Sequence, residues 1–218
     1  MSTRRQIVKL ALALGAGALL MFSKLGRGVR QALAQVKRRL LAKGTPMSEL
    51  LHADPAELDT SSLETTPMEA FDVMGQTVHP VDLDYWRLEV RGGPRPSVQF
   101  TYQDLLALPV LERNVLLVCS GFFAYNGLWK GFSVAELLKD VGLIPGVSHV
   151  KFSGPEGIGR KTRKFSIDEV LSDKIFIAYA VNGQVLPERH GFPMRLVAED
   201  HKGLRWVKYL NRVTVVVK

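Results

Sequence analysis

The stretch that decides the fold reads Val115-Leu116-Leu117-Val118-Cys119-Ser120-Gly121-Phe122-Phe123-Ala124-Tyr125-Asn126-Gly127 and contains the only cysteine of the chain. Its apolar run predicts a buried strand from Asn114 to Cys119, followed by a small aromatic loop over residues 120–127. A lone thiol cannot form an internal disulfide. A thiolate at the end of a rigid strand suits a site that holds one soft metal ion in a fixed direction. The competing interpretation is a core cysteine packed as a small apolar side chain.

The segments around this stretch alternate between strand and helix signals. Helices are predicted at 102–108, 134–141 and 167–171, each preceded by a residue that can cap it, namely Thr101, Ser133 and Ser166. Further strands are predicted at residues 85–90, 97–100, 150–153, 175–180, 194–198, 206–209 and 213–217, with a hairpin turn at 181–184. Many short strands with a few short helices predict a mixed α+β domain.

Charge separates the N-terminal part of the chain from the rest. The formal net charge is +8, ten of the 29 Lys and Arg residues precede residue 44, and the first acidic residue is Glu49. From residue 44 onward, 19 basic residues face 21 acidic ones, so the body is close to neutral. Because a nucleic-acid groove needs its basic residues on the folded surface, we expect no nucleic acid among the partners.

The N-terminus resembles an export signal. Ser2-Thr3-Arg4-Arg5-Gln6-Ile7-Val8-Lys9 precedes the apolar stretch Leu10–Phe22, and paired arginines ahead of a modest apolar region are typical of twin-arginine signals. The 13 residues of this stretch fall short of the roughly 20 that span a membrane. A basic amphipathic helix on a membrane surface is the alternative. Ala32-Leu33-Ala34 offers a cleavage site, so removal of the signal and its retention as an anchor both stay open.

Three segments follow from these patterns. Residues 1–43 are predicted to be a twin-arginine-type signal or basic membrane-proximal segment, and residues 44–70 an irregular linker with one short helix near Ser48–His52. Residues 71–218 are predicted to form the folded domain. The signal places the protein in the periplasm or on the outer face of the cytoplasmic membrane. Since the twin-arginine route carries folded proteins, export also indicates a cofactor inserted beforehand.

A second group of chemistry-bearing residues lies near the C-terminus. His190 and Arg195 are five residues apart around a Gly-x-Pro bend, and Lys208 follows Trp206-Val207. An arginine in an otherwise apolar strand is costly to bury without a carboxylate or phosphate partner. These side chains are therefore candidates for binding one anionic ligand, while ordinary salt bridges are the alternative for each residue alone.

Five segments, in order, resemble one known family. They are the strand into Cys119 and residues 129–132, 178–187, 190–196 and 203–210. Through them the chain, from about Phe71 to Lys218, resembles the molybdenum-cofactor domain of the sulfite oxidase family, including exported bacterial members such as periplasmic methionine-sulfoxide reductases. The resemblance implies an α+β, mixed-sheet molybdopterin-binding domain whose cofactor is molybdenum held by molybdopterin.

The resemblance also assigns roles to individual residues. It implies that Cys119 is the protein thiolate on molybdenum, and that Tyr179 and Arg87 lie on the substrate side as further catalytic residues. The residues implied for cofactor binding, besides Cys119, are Glu156, His190, Arg195, Trp206, Val207 and Lys208. A soft sulfur suits the metal, and fixed cationic donors suit a phosphate.

Three departures from the family pattern bear on substrate, cofactor and assembly. Residues 121–127 carry no charge where sulfite oxidases have arginines, which favours a neutral or partly apolar substrate. Gly75-Gln76 stands where relatives place an Asn-His pair, and His79 is a candidate substitute, although an exposed loop histidine is the expectation for it. No haem motif or additional dimerisation domain is present before Lys218, from which we expect a monomer.

Three functions fit these observations. The first is an exported molybdenum oxidoreductase that transfers an oxygen atom to or from a small sulfoxide-like or sulfite-like substrate, with a membrane haem protein or cytochrome as redox partner. The second is a cofactor-free binding or scaffold module of the same fold. The third is a thiol enzyme in which His190 serves Cys119 as base. Metal and pterin content separates the first from the second.

Overall fold

Two five-stranded sheets and one two-stranded sheet make up the β-structure in the part of the chain that the structure describes. The computed structural model describes residues 38–92, 96–142, 146–157 and 161–217. The twin-arginine motif and the apolar stretch of the predicted signal lie outside these residues. Within them, no helix is long and apolar enough to cross a membrane.

The elements follow one another in chain order. The strands are β1 (Arg39–Leu40), β2 (Leu58–Asp59), β3 (Leu88–Arg91), β4 (Val98–Phe100), β5 (Val110–Cys119), β6 (Phe123–Ser133), β7 (Val147–Ser153), β8 (Thr162–Ser166), β9 (Ile175–Val181), β10 (Gln184–Val185), β11 (Arg195–Ala198) and β12 (Arg212–Val217). The α-helices are α1 (Tyr102–Leu106), α2 (Val134–Val141) and α3 (Ile167–Leu171).

The first large sheet has the order β10-β9-β6-β5, with β11 also paired to β9, and its pairs are antiparallel. The predicted aromatic loop over residues 120–127 is wrong in extent, because only residues 120–122 form the turn. From Phe123 onward the chain pairs with β5, and Cys119 stands opposite Phe123. The backbone groups of this segment therefore complete a ladder, and the cysteine lies at the tip of a tight hairpin.

The second large sheet has the order β4-β3-β12-β7-β8. The C-terminal strand β12 runs parallel to β3 and antiparallel to β7. The central strand of this sheet thus comes from the end of the chain, and it links residues 88–91 to residues 212–217. This mixed sheet agrees with the predicted α+β class.

All three predicted helix caps are present. The side chains of Thr101 and Ser166 accept a hydrogen bond from the backbone three residues on and complete capping boxes, and Ser133 caps α2 by accepting from Ala135. Helix α2 ends before Gly142, whose φ of 74° suits glycine. Local capping chemistry therefore sets where these helices begin.

One predicted strand, residues 206–209, is wrong. A 3₁₀ turn occupies Gly203–Arg205, Val207 makes only an isolated bridge to Leu196, and Tyr209 has a φ of 55°. A positive φ is incompatible with an extended run of side chains. The segment instead meets the start of β11, where Leu196 donates to the carbonyl of Val207 and Leu210 donates to that of Met194.

The segment before residue 71 packs against the first large sheet. It contains the 3₁₀ turns Met47–Leu50, Pro55–Glu57 and Met68–Ala70. A second apolar cluster buries four of its leucines against β5 and β6; its members are Leu41, Leu50, Leu58, Leu63, Leu116, Val118 and Ala124. The carbonyl of Leu51 accepts a hydrogen bond of 2.9 Å from Gly121 in the hairpin turn. The domain boundary at residue 71 stays a prediction.

The main core joins side chains of both large sheets and all three helices. Its largest buried members are aromatic: Phe71, Tyr125, Trp129, Phe132, Phe152, Phe165, Phe176 and Trp206. Large rings restrict the movement of their neighbours by close packing. Cys119 at the end of β5 and Phe123 at the start of β6 pack against this core, so we expect the hairpin between these strands to be rigid.

Candidate active site

A cavity lies beside the hairpin that ends β5. Its volume is about 760 Å³. Four of the residues predicted for the site line it, namely Cys119, Arg195, Trp206 and Lys208. Residues distant in sequence thus meet at one concave surface of the size that holds a small molecule.

Cys119 is the last residue of β5, and its side chain is partly exposed to the cavity. Its Sγ lies 4.0 Å from the Sδ of Met74. Burial raises the pKa of the Cys119 thiol, and the ammonium of Lys161 offsets part of this rise. A thiol with a raised pKa is a poor free nucleophile. The thiolate therefore needs a bound cation, such as a soft metal, to become its stable form.

Arg195 is held rigidly at the start of β11. Its guanidinium carbon lies 5.1 Å from the ring centroid of Trp129 and 5.2 Å from that of Trp206. Its Nη1 donates to the carbonyl of His190 at 3.0 Å, while its buried Nε has no hydrogen-bond partner. Within the described residues no carboxylate forms a salt bridge with it. A buried, preorganised cation with a spare donor is suited to an anionic ligand.

His190 lies in the 3₁₀ turn Glu188–His190 and is 2% exposed. Burial is the main cause that lowers its pKa to about 4, and the charges of Arg195, Arg189 and Lys208 add to it. The imidazole is therefore neutral at pH 7. Its buried Nδ1 has no hydrogen-bond partner, and it does not line the cavity. No hydrogen bond joins it to Cys119 among the described residues, so the geometry gives no support to a thiol enzyme with His190 as base.

Lys208 is pinned by two backbone carbonyls. Its Nζ donates to the carbonyl of Gln76 and, at 3.1 Å, to that of Arg189. Burial, followed by the charges of Arg195, Lys161 and Arg189, lowers the pKa of Lys208 to about 8. A Cβ on Gly191 would lie 3.0 Å from the Cα of Lys208, so this close approach of two loops requires glycine.

The Gly75-Gln76 segment takes part through its backbone. Besides Lys208, the hydroxyl of Tyr209 donates to the Gln76 carbonyl at 3.1 Å. A second cavity, of about 100 Å³, lies here, and Gln76, Lys161 and Lys208 are among the residues that line it. His79 is partly buried rather than an exposed loop histidine, since its ring lies 4.9 Å from that of Tyr209.

Besides His190, four residues predicted for the site line neither cavity. Arg87 donates to the carbonyls of Asp84 and Trp86, which occupies its guanidinium next to β3. Tyr179 packs against the main core from β9. The exposed Glu156 carboxylate lies 3.4 Å from Arg212, and Val207 is fully buried. The structure therefore does not bring these four side chains to the cavity surface.

Among the residues that line the main cavity and that sequence reasoning missed are Met74, Tyr125 and Lys161. Tyr125 carried a sequence signal, because it lies two residues after Phe123 and so shares a face with it on a strand. In the structure its ring stacks on that of Phe71, with 3.9 Å between the two ring centroids. Met74 and Lys161 carry no sequence signal, since each lies outside the strands and helices and reaches the cavity through tertiary packing.

The described residues contain no group of three or more His, Cys, Asp or Glu side chains able to hold a metal ion. A metal bound at Cys119 would thus find no set of further His, Cys, Asp or Glu ligands among these residues. A metal here would need further ligands from a cofactor.

Comparison with known proteins matches most of the chain to one family. A family model described as "oxidoreductase molybdopterin binding domain" matches residues 75–218. The protein-methionine-sulfoxide reductase catalytic subunit MsrP of Gluconobacter oxydans (strain 621H) is 28% identical over 156 residues, which cover 65% of this chain and 49% of that protein. Nitrate reductase [NADH] 1 of Arabidopsis thaliana is 31% identical over 160 residues, covering 60% of this chain and 17% of its own length. The chain thus spans half or less of the length of these relatives.

A solved structure shares the fold. The sulfane dehydrogenase SoxCD from Paracoccus pantotrophus matches 86% of this chain and 52% of its own with a TM-score of 0.60 and 23% sequence identity. At this identity the likeness concerns the fold.

Proposed function

The chain belongs to the oxidoreductase molybdopterin binding domain family, and from that premise we propose that it transfers an oxygen atom to or from a small substrate. The resemblance to the sulfite oxidase family and the α+β fold are confirmed. Its cofactor is the molybdenum–molybdopterin of that family. The position of Cys119 at the main cavity, which the buried Arg195 and the partly buried Lys208 also line, is the observation that carries the proposal.

The residues present fit such a cofactor. The metal needs a soft ligand at the end of a rigid element, and the Cys119 thiol opens on a cavity of about 760 Å³. The phosphate group of the cofactor needs fixed cations, and Arg195 and Lys208 line the same cavity as Cys119. A buried donor needs a partner, and Arg195 Nε lacks one in this structure.

When bound, the cofactor supplies the two-electron metal chemistry by which an oxygen atom is added or removed. Cys119 would hold the metal as a thiolate and lose its proton on loading, because its pKa is raised in the free cavity. The rigid β5–β6 hairpin would fix the direction of the sulfur.

Arg195 and Lys208 would bind the anionic part of the cofactor. Each lowers the pKa of buried His190, and Arg195 also lowers that of Lys208. This mutual repulsion is relieved when an anion enters. His190 would stay neutral behind the cavity and help to hold Arg195, because its backbone carbonyl accepts from Arg195 Nη1. Trp206 would hold Arg195 in place by ring contact, while Val207 contributes through the backbone bridge to Leu196.

The redox partner and the location are part of the proposal. We assign a separate redox partner, a membrane haem protein or a cytochrome, which the description of one relative as a catalytic subunit supports. We assign export through the Arg4-Arg5 motif, which rests on the sequence. The substrate class is a small sulfoxide-like or sulfite-like compound.

The test is metal and pterin analysis of the full chain from a host that makes the cofactor, beside Cys119→Ser. We expect near-stoichiometric molybdenum and pterin, and a thiolate-to-metal absorption band that the variant lacks. Ser120→Ala, one residue further along the turn, is the matched control and should keep both. A folded wild-type protein without molybdenum or pterin would refute the proposal and favour the cofactor-free binding module.

A further inference from the structure

His201 is the only histidine that lines the main cavity among the described residues. It follows β11, and the nearby Gly203 lies against β5, since a Cβ on Gly203 would lie 3.2 Å from Cδ2 of Leu117 and 3.4 Å from the carbonyl oxygen of Val118. The segment that carries this imidazole is therefore in contact with the strand that ends at Cys119. The oxygen transfer proposed above has given the side chain no role so far.

The backbone of His201 is fixed on both sides. Its N–H donates to the carbonyl of Ala198 at 3.2 Å, and its carbonyl accepts a hydrogen bond of 3.2 Å from Nε1 of Trp206. Asp200, just before it, has a φ of 65°. A tight turn at the end of β11 thus sets the position of the imidazole.

A carboxylate holds the ring of His201. Its Nε2 lies 3.0 Å from Oε1 of Glu169 in α3. The other oxygen, Oε2, accepts from the backbone N–H and the hydroxyl of Ser166 at 2.9 and 2.6 Å. Burial raises the pKa of Glu169, but the hydrogen bonds from Ser166 and His201 outweigh it, and the net change is a lowered pKa. Because an ionised carboxylate only accepts hydrogen bonds, Nε2 carries the proton of this contact.

The second ring nitrogen of His201 is free. Nδ1 makes no hydrogen bond with the described residues, and it is not among their buried polar atoms that lack a partner, so it is accessible to solvent. The side chain of His201 is 28% exposed and that of Glu169 39%. An imidazole that donates through one nitrogen can accept a proton at the other. His190 cannot do so at pH 7, because its Nδ1 is buried and its pKa is lowered, mainly by burial, to about 4.

Several charged side chains lie on the segments around His201: Glu169 of α3, Arg163 of β8, Lys174 ahead of β9, and Asp200, Lys202 and Arg205 of its own segment. In the described part of the chain, only Glu169 forms an ion pair with the imidazole. Asp200 is paired with Lys174, and the Arg205 guanidinium lies 4.3 Å from the ring centroid of Phe165. The Glu169 carboxylate is therefore the direct charged partner of the ring.

We propose that His201, positioned by Glu169, transfers protons between the main cavity and solvent during oxygen transfer. This inference rests on the proposed function. Removal of an oxygen atom from a sulfoxide breaks the sulfur–oxygen bond, consumes two electrons and two protons, and releases water. Addition of an oxygen atom taken from water returns the same electrons and protons.

The electrons come from, or go to, the separate redox partner. His201 would give a proton from Nδ1 to the oxygen that becomes water, or take one from the water that supplies the oxygen. It would then exchange that proton with solvent. Glu169 would be a positioning residue, because it orients the ring and stabilises the imidazolium that forms during the transfer.

The experiment uses the cofactor-loaded full chain and matched variants. His201→Gln keeps a donor for Glu169 but cannot carry a proton, and Glu169→Gln keeps an acceptor without the charge. His52→Gln replaces an exposed histidine outside the main cavity. Glu136→Gln replaces a carboxylate in the first turn of α2, as Glu169 is in the first turn of α3. Molybdenum and pterin content are measured first.

Proton movement is then followed directly. The loaded protein is reduced by a one-electron viologen dye in weakly buffered solution, and a pH indicator records the rate of proton uptake. Turnover of dimethyl sulfoxide with the same dye gives kcat and KM at several pH values and in D2O. A further variant, His201→Ala, is assayed with and without added free imidazole.

We expect unchanged cofactor content in the His201 variants. In His201→Gln the rate of proton uptake and kcat should each fall about a hundredfold, the effect of losing one general acid–base group. KM should change little, because His201 moves a proton and does not hold the substrate. The solvent isotope effect should rise, and free imidazole should restore much of the rate of His201→Ala. Glu169→Gln should lie between wild type and His201→Gln, and both control variants should match wild type.

Each contrary result has a distinct meaning. Equal rates of proton uptake in wild type and His201→Gln would overturn the inference, and so would a slow His201→Ala that free imidazole does not accelerate. Loss of molybdenum or pterin confined to the His201 variants would overturn it and assign the residue a structural role. A loaded wild-type protein that takes up no protons on reduction would also overturn it. Absence of cofactor from the wild-type protein would instead refute the proposed function.

Discussion

The buried imidazole of His190 predicts how stability depends on pH. In the unfolded chain this group binds a proton below about pH 6.5, whereas in the folded protein it does so only below about pH 4. Between these values the unfolded state holds more protons, so the free energy of unfolding falls as the pH falls. The contribution is fully present at pH 7.5 and is lost towards pH 4.

The magnitude follows from the same two values. At about 1.4 kcal/mol per pH unit, the gap between 6.5 and about 4 corresponds to about 3 kcal/mol. His190 is 2% exposed, so solvent screening reduces this figure little. A loss of that size is a large fraction of the stability of a domain.

The assay is guanidinium chloride unfolding of the full chain prepared without cofactor, followed by tryptophan fluorescence at pH 7.5 and pH 4. Acidic groups such as Glu89 and Glu169, whose pKa values are lowered in the folded protein, also make the protein less stable as the pH falls. The informative quantity is therefore the difference between wild type and His190→Gln. The variant should lose about 3 kcal/mol less over this interval. His52→Gln controls for the removal of one imidazole, and an unchanged pH response in His190→Gln would refute the reasoning.

Two further predictions concern packing around the site. Leu50→Ala should lower the free energy of unfolding by about 3 kcal/mol in chemical denaturation, because Leu50 is fully buried in the second cluster. The control Leu40→Ala should have little effect, since that side chain is 60% exposed. Equal losses of stability in the two variants would contradict the packing of the segment before residue 71. Gly131→Ala should cost more than about 3 kcal/mol or prevent folding, because its Cβ would lie 1.8 Å from the carbonyl oxygen of Ile177 on the paired strand. A Gly131→Ala protein with wild-type stability would show that β6 and β9 do not approach as described, and Ala135→Gly, outside this contact, gives the scale of an ordinary glycine–alanine exchange.

Helix starts and one turn were predictable because their causes are local. Thr101, Ser133 and Ser166 cap helices through backbone groups two or three residues away. The turn at Asn182-Gly183 follows from positive φ angles of 51° and 75°, which these residue types accept. Five short segments around Cys119, His190 and Arg195 also sufficed for the family, because the matching residue types recur in order along the chain.

Other features depended on partners far away in sequence. Residues 123–127 form a strand because β5 pairs with them, and residues 206–209 do not because their neighbours bend the backbone at Tyr209. Arg87, Tyr179 and Glu156 matched the family by local pattern, yet their side chains point to other contacts.

The sequence by itself determined the capped helices, the strand that ends at Cys119 and the family, since these depend on neighbouring residues and on residue type. Only the tertiary structure decided that Met74 and Lys161 join Cys119, and that the leucines before residue 71 cover the hairpin. The physical reason is that the burial of a side chain and its charged neighbours depend on which distant segments pack together. The residues adjacent in sequence to Met74 and Lys161 do not indicate that packing.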